Sequence, residues 1–173
     1  MTRPEGSAQR EEPRPGLDGE AAHHAAYLDF YRRTCIEKCR ALPAAELRTS
    51  RLPSGWTPLE MLAHLYFMER RWFVWGFLGE DVDDVWGDGA DRWRVPDDVT
   101  LADLAGRLHA LGVRVSGLLA EHRLEEIAPP GPRFEDGQPA TLAWICFHVL
   151  QEYARHAGHL DVAVELAGGV LGE

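Results

Sequence analysis

Apolar and amphipathic side chains recur every three or four positions in four stretches of the chain. Tyr27, Phe30, Tyr31, Thr34, Cys35 and Lys38 mark the first. They predict a helix from about Glu20 that ends before Pro43, whose ring cannot continue it. Leu62, His64, Leu65, Met68, Trp72 and Trp75 mark the second, expected to run to about Leu78 and stop at Gly79. Its start is the most explicit in the chain. Thr57 reads as the N-cap, Pro58 takes the first helical position, and Glu60 completes a capping box three residues after the cap. Thr100 and Asp103 repeat that box with a shorter acid. Leu101, Leu104, Leu108, Leu111, Val115, Leu118 and Leu119 then carry a third helix to about His122. A fourth begins near Pro139 or Thr141 and reaches about Leu166, where Gly168 and Gly169 end it. No segment alternates as a strand would. The fold class is therefore all-α, a four-helix bundle. The connections 79–98 and 124–138 are long enough that a simple up-down order is not forced.

The ends of the chain read differently. Residues 1–19 hold Pro, Gly, Glu and Arg with almost no large apolar side chain, and are expected to form a disordered arm. The bundle then occupies 20–169, with a short tail at 170–173. One domain suits a length of 173 residues. The 28 acidic and 18 basic side chains give a net charge of -10, which disfavours general nucleic-acid or anionic-membrane binding. No run approaches the roughly 18 apolar residues of a membrane span, and the first twenty residues lack the apolar core of a secretory signal. The expected compartment is the cytoplasm. Cys35, Cys39 and Cys146 form no CxxC and read as free thiols. Cys35 and Cys39 share a helix face and read as small buried or half-buried residues. Lys38 is the only lysine, and such an arginine bias points to a GC-rich genome.

The chemistry is concentrated on the fourth helix. At about 100° per residue, His148, Glu152, Arg155, His156 and His159 fall within an arc of about 100°. Beside them Val149, Tyr153, Leu160 and Val164 form an apolar stripe, and Gln151, Asp161 and Glu165 fall on a solvent-facing side. Ionisable groups next to a core are costly unless they are paired or coordinate a metal. Glu152 and His156, four residues apart, can reach one ion from one helix. His64 on the second helix, among Met61, Leu65, Met68 and Trp72, is the natural third ligand. One carboxylate and two imidazoles leave positions open, which suits catalytic Zn²⁺, or Ni²⁺, Fe²⁺ or Mn²⁺. The same residues allow a plainer reading, in which Glu152 and Arg155 form an i,i+3 salt bridge. His23 and His24 belong to the start of the first helix, and His109 and His122 to exposed helix positions.

These stretches also carry a resemblance. SGWTPLEMLAHL at 54–65 with HVLQEYARHAGHLD at 148–161 resembles the DinB/YfiT-like superfamily of metal-binding four-helix bundles. The nearer branch is that of actinobacterial proteins similar to mycothiol-dependent enzymes such as maleylpyruvate isomerase. The resemblance spans about 20–169. It implies a metal set of His64, Glu152 and His156 in the His/Glu/His variant, frequent homodimers and crossed connections between helices. It also implies mycothiol as a co-substrate and an S-transferase or isomerase reaction on an electrophile.

A divalent metal with open positions favours the thiolate over the thiol, and the thiolate can attack an electrophilic carbon. His148, Arg155 and His159 are candidates for orienting Glu152 or His156, or for contacting an anionic substrate. The acidic 79–98 loop, with Trp86 and Trp93, is expected to line the mouth of the site. Two other functions fit the same ligands: a hydrolase acting through a bound water, and a non-catalytic, stress-related dimer stapled by the metal. There is no Ser-His-Asp arrangement, phosphate-cradling loop or dinucleotide fingerprint. Cys146 precedes His148 by two residues on another face and is a weak candidate nucleophile.

Overall fold

A computed structural model describes residues 11–87, 94–131, 133–134 and 137–169. Residues 1–10 of the expected arm, Trp93 of the acidic loop and the 170–173 tail lie outside the described residues. The described chain is helical: α1 (Glu20–Arg40), a single short turn α2 (Ala44–Leu47), α3 (Pro58–Arg70), α4 (Leu101–Glu121) and α5 (Leu142–Leu166). Both capping boxes form. The Thr57 hydroxyl accepts the Glu60 backbone N–H while the Glu60 carboxylate accepts the Thr57 N–H, and Thr100 and Asp103 do the same. Thr141 caps α5 by accepting the Trp144 N–H. Gly168, at φ 75°, turns the chain out of α5, and the N–H groups of Gly168 and Gly169 close onto the Glu165 and Val164 carbonyls.

The structure departs from the sequence reading in several places. The α3 helix does not stay α-helical to its end. It continues as a π-helical segment, Arg71–Phe77, in which the Leu78 N–H reaches back five residues to the Phe73 carbonyl. The α2 turn was not expected, because four residues between Pro43 and Arg48 are too few to show a period. The inner face of α1 is as expected in its second half, at Thr34, Cys35, Lys38 and Cys39, but not in its first. Tyr27, Phe30 and Tyr31 are half-buried, while Leu28, Cys35, Ile36 and Cys39 form the core line with Arg32, Thr34 and Lys38 buried beside them.

In the bundle α1 packs on α4 and α5, and α3 packs on the same two helices. Contact between α1 and α3 is slight, and α4 and α5 barely meet. The pairs α1/α3 and α4/α5 thus lie across the two diagonals, while α3 and α4 are neighbours, so the first and last connections cross the bundle, as the family resemblance implies. An isolated antiparallel bridge between Ile127 and Thr141 ties the second long loop to the start of α5.

Two cationic side chains of α1 are buried against acids of other helices. Arg32 donates to both carboxylate oxygens of Glu69 on α3, at 2.6 to 3.0 Å, and the Tyr153 hydroxyl of α5 donates to Glu69 at 2.6 Å. Arg32 is 3% exposed, and Glu69 and Tyr153 are fully buried. On α4, Gly112 makes room for the guanidinium, since a Cβ there would lie 2.9 Å from Arg32 Nη1. The expected apolar stripe of α5 therefore contains a tyrosine with a charged partner. Lys38, also buried, pairs with Asp161. Asp161 was expected to face solvent, but α1 lies against this side of α5 and the ammonium needs a counter-charge.

Candidate metal centre

The pocket that matters is built where the first turns of α3 meet the middle of α5. The capping box fixes the start of α3, and His64 follows the N-cap by two turns, on a face turned inward. Met61, Leu65 and Met68 around it are all buried. On α5 the four-residue spacing stacks Glu152 and His156 on one face. The diagonal arrangement brings α3 directly against α5, so His64 comes to meet that pair.

The three side chains converge. His64 Nε2 lies 3.5 Å from Glu152 Oε2, and His156 Nε2 lies 3.4 Å from the same oxygen. One ligand atom from each lies within 4.8 Å of the other two. Tetrahedral zinc, with bonds of about 2.0–2.2 Å, places neighbouring donors about 3.3–3.6 Å apart. The two nitrogen–oxygen spacings have that size and are too long for good hydrogen bonds. The protonation states also suit a cation. Burial, with the neighbouring His156 adding to it, takes the His64 pKa down to about 4. Burial lowers that of His156 too. Burial works against the Glu152 charge, but His156, His64 and His148 outweigh it and hold the carboxyl below its ordinary range. The set is thus two neutral imidazoles and one carboxylate, the form a divalent metal needs.

Around the triad is an open cavity of about 500 Å³, within the range of small-ligand sites. Leu52 and Met61 supply apolar wall, and the exposed Ser54, Arg155 and His159 stand at its mouth. The indole of Trp56 stacks on His156, ring centroids 5.8 Å apart and planes 17° from parallel, and meets His64 edge-on at 5.9 Å. Trp56 was not among the expected site residues. Its signal was its place just before the N-cap, where an apolar residue packs back onto the first turn of its helix.

The three accessory candidates separate. His159 Nδ1 lies 3.3 Å from His156 Nδ1, so it braces the ring whose Nε2 faces Glu152. Arg155 lines the cavity, and among the described residues it makes no ion pair with Glu152, against the plain salt-bridge reading. His148 turns away from the cavity. It stacks on Trp144 at 5.2 Å and lies 4.3 Å from Trp72, without a hydrogen bond to Glu152 among the described residues. The described residues of the acidic loop do not form the expected mouth either. No described residue of 79–98 lines this cavity, and Trp86 instead lies against Arg71, whose guanidinium carbon is 4.4 Å from its ring centre. Burial pushes the Cys39 and Cys146 thiols up to about 12, which suits structural rather than nucleophilic cysteines. His23 bonds the Gly19 and Pro15 carbonyls and His122 bonds Glu126, so neither belongs to the centre.

Comparison with known families adds the chemistry. The mycothiol S-transferase family model matches residues 24–169. The chain belongs to the mycothiol S-transferase family. The match takes in nearly all of the bundle, including α3 and α5 with the whole triad. Searches of curated proteins and of solved structures found no match. No helix among the described residues is long and apolar enough to cross a membrane.

Proposed function

We propose that this protein is a metal-dependent mycothiol S-transferase whose metal, zinc in the first place, is held by His64, Glu152 and His156. One observation carries the reading. In a chain of this family, two neutral imidazoles and a carboxylate from two helices meet at zinc-like spacing in a cavity open to small molecules.

When bound, the metal supplies a stabilised thiolate at neutral pH from a thiol whose free pKa is about 8.5. The residues of the chain do the rest. Glu152 would contribute the single negative charge of the ligand set and His64 and His156 none, which would leave the ion its Lewis acidity. His159 fixes the His156 ring by their Nδ1 contact. Leu52, Met61 and Trp56 line the cavity beside the triad and would leave a thiolate there less solvated and more reactive. Arg155 at the mouth offers a cation to an anionic group on either substrate. In the transfer the sulfur forms a bond to an electrophilic carbon. The displaced electron pair leaves with a leaving group, or is taken up by the substrate and protonated from solvent. The thiol proton is released through the open mouth.

The test is thiol consumption by the metal-loaded protein with mycothiol and a panel of electrophiles. We expect turnover that stops on chelation, returns on adding metal back and is lost in His156→Ala. No thiol consumption by fully loaded protein with any electrophile would refute the transferase reading. Turnover without thiol would favour a hydrolase.

A further inference from the structure

The Arg32–Glu69–Tyr153 network lies outside the cavity, yet it joins the two helices that carry the triad. Glu69 follows His64 by five residues on α3, and Tyr153 follows Glu152 by one on α5. Their hydrogen bond, 2.6 Å long, is a direct tie between α3 and α5. Arg32 holds the Glu69 carboxylate through both oxygens from α1, in a seat that Gly112 of α4 leaves open. Three long helices thus meet at one carboxylate, and the fourth, α4, seats the guanidinium that holds it.

Stability alone is a weak reason for such a group. A buried ion pair is often matched or exceeded by apolar side chains of the same volume, because desolvating two charges offsets their attraction. What directional bonds add is a fixed register. A side-chain atom about 5–6 Å from its helix axis moves about 1 Å for every 10° of rotation. Metal ligands must keep their distances within about 0.2 Å. A rotation of α3 against α5 by a few degrees is therefore enough to spoil the site, and apolar packing alone resists such small slips weakly.

We propose that Glu69, Tyr153 and Arg32 are positioning residues for the metal centre: they lock the rotation and register of α3 against α5 so that His64 meets Glu152 and His156. The proposal rests on the metal reading above. Its test is metal affinity measured beside thermal stability in the full chain. Tyr153→Phe removes one hydroxyl and little volume. It is expected to weaken metal binding about tenfold, the scale seen when groups that orient ligands are removed. Val164→Ala, a cavity-forming control on α5 away from the triad, is expected to lower the melting temperature and leave affinity unchanged. The triple variant R32M/E69M/Y153F is expected to melt no lower than wild type without metal, yet to bind metal more weakly. Unchanged affinity in Tyr153→Phe, or a loss no greater than in Val164→Ala, would overturn the positioning role while leaving the metal reading intact. A wild-type chain that takes up no metal would overturn the metal reading itself, and this role with it.

Discussion

At the scale of single residues, the triad gives predictions that differ from those for ordinary surface histidines. His64 titrates near an ordinary 6.5 in the unfolded chain and at about 4 in the folded one. Between those values the unfolded chain binds more protons. The metal-free protein is therefore expected to lose stability as pH falls from about 6.5 towards 4, and to keep this contribution above that window. Urea midpoints of apo protein across that range, compared with His64→Gln, check it; equal pH dependence in both proteins would contradict it. The cysteines give a second prediction. Buried thiols pushed up to about 12 should resist iodoacetamide in the native protein at pH 8 and react on unfolding, as mass spectrometry can read. Rapid native labelling of Cys39 or Cys146 would show that one of them is open to chemistry. The triad itself was legible from sequence because helical spacing places Glu152 and His156 together without knowledge of the fold. Trp56 was not, nor was the choice of His159 over His148 and Arg155 as the group that braces His156, since each depends on where a side chain comes to rest in three dimensions.

At the scale of elements, helix starts were the most readable feature. A capping box is local chemistry, and both boxes formed at the expected residues. Thr57→Ala is expected to cost about 1 kcal/mol in a urea unfolding experiment. Metal affinity should weaken with it, because the same turn aims His64 and carries Trp56. A variant as stable as wild type would show that packing alone fixes this end of α3. The π-helical end of α3 was hidden because it differs in hydrogen-bond register, which side-chain spacing does not show; part of the inner face of α1 was hidden for another reason. Periodicity assumes that buried positions are apolar, and here Arg32 and Glu69 are inside. Those charges find partners on other helices, which no single helical segment can display. Glu69→Leu should accordingly be far more damaging than an average substitution, about 3–5 kcal/mol, since it leaves Arg32 buried without its acid. A loss below about 1 kcal/mol would mean that water or another group satisfies the guanidinium.

At the scale of the molecule, the four long amphipathic segments specify a bundle, but only the packed structure shows that α3 lies between α4 and α5. That placement turns three scattered letters of sequence into one donor set. The net charge of -10 says little about the centre, whose environment is made by burial and a few neighbours. The proposed chemistry depends on the triad holding metal. Elemental analysis of tag-free protein, purified without added metal, tests this most directly. About one divalent ion per chain is expected in wild type, with almost none in folded His64→Ala and Glu152→Gln. Metal-free wild type that cannot be loaded, or variants that retain their metal, would contradict the central claim.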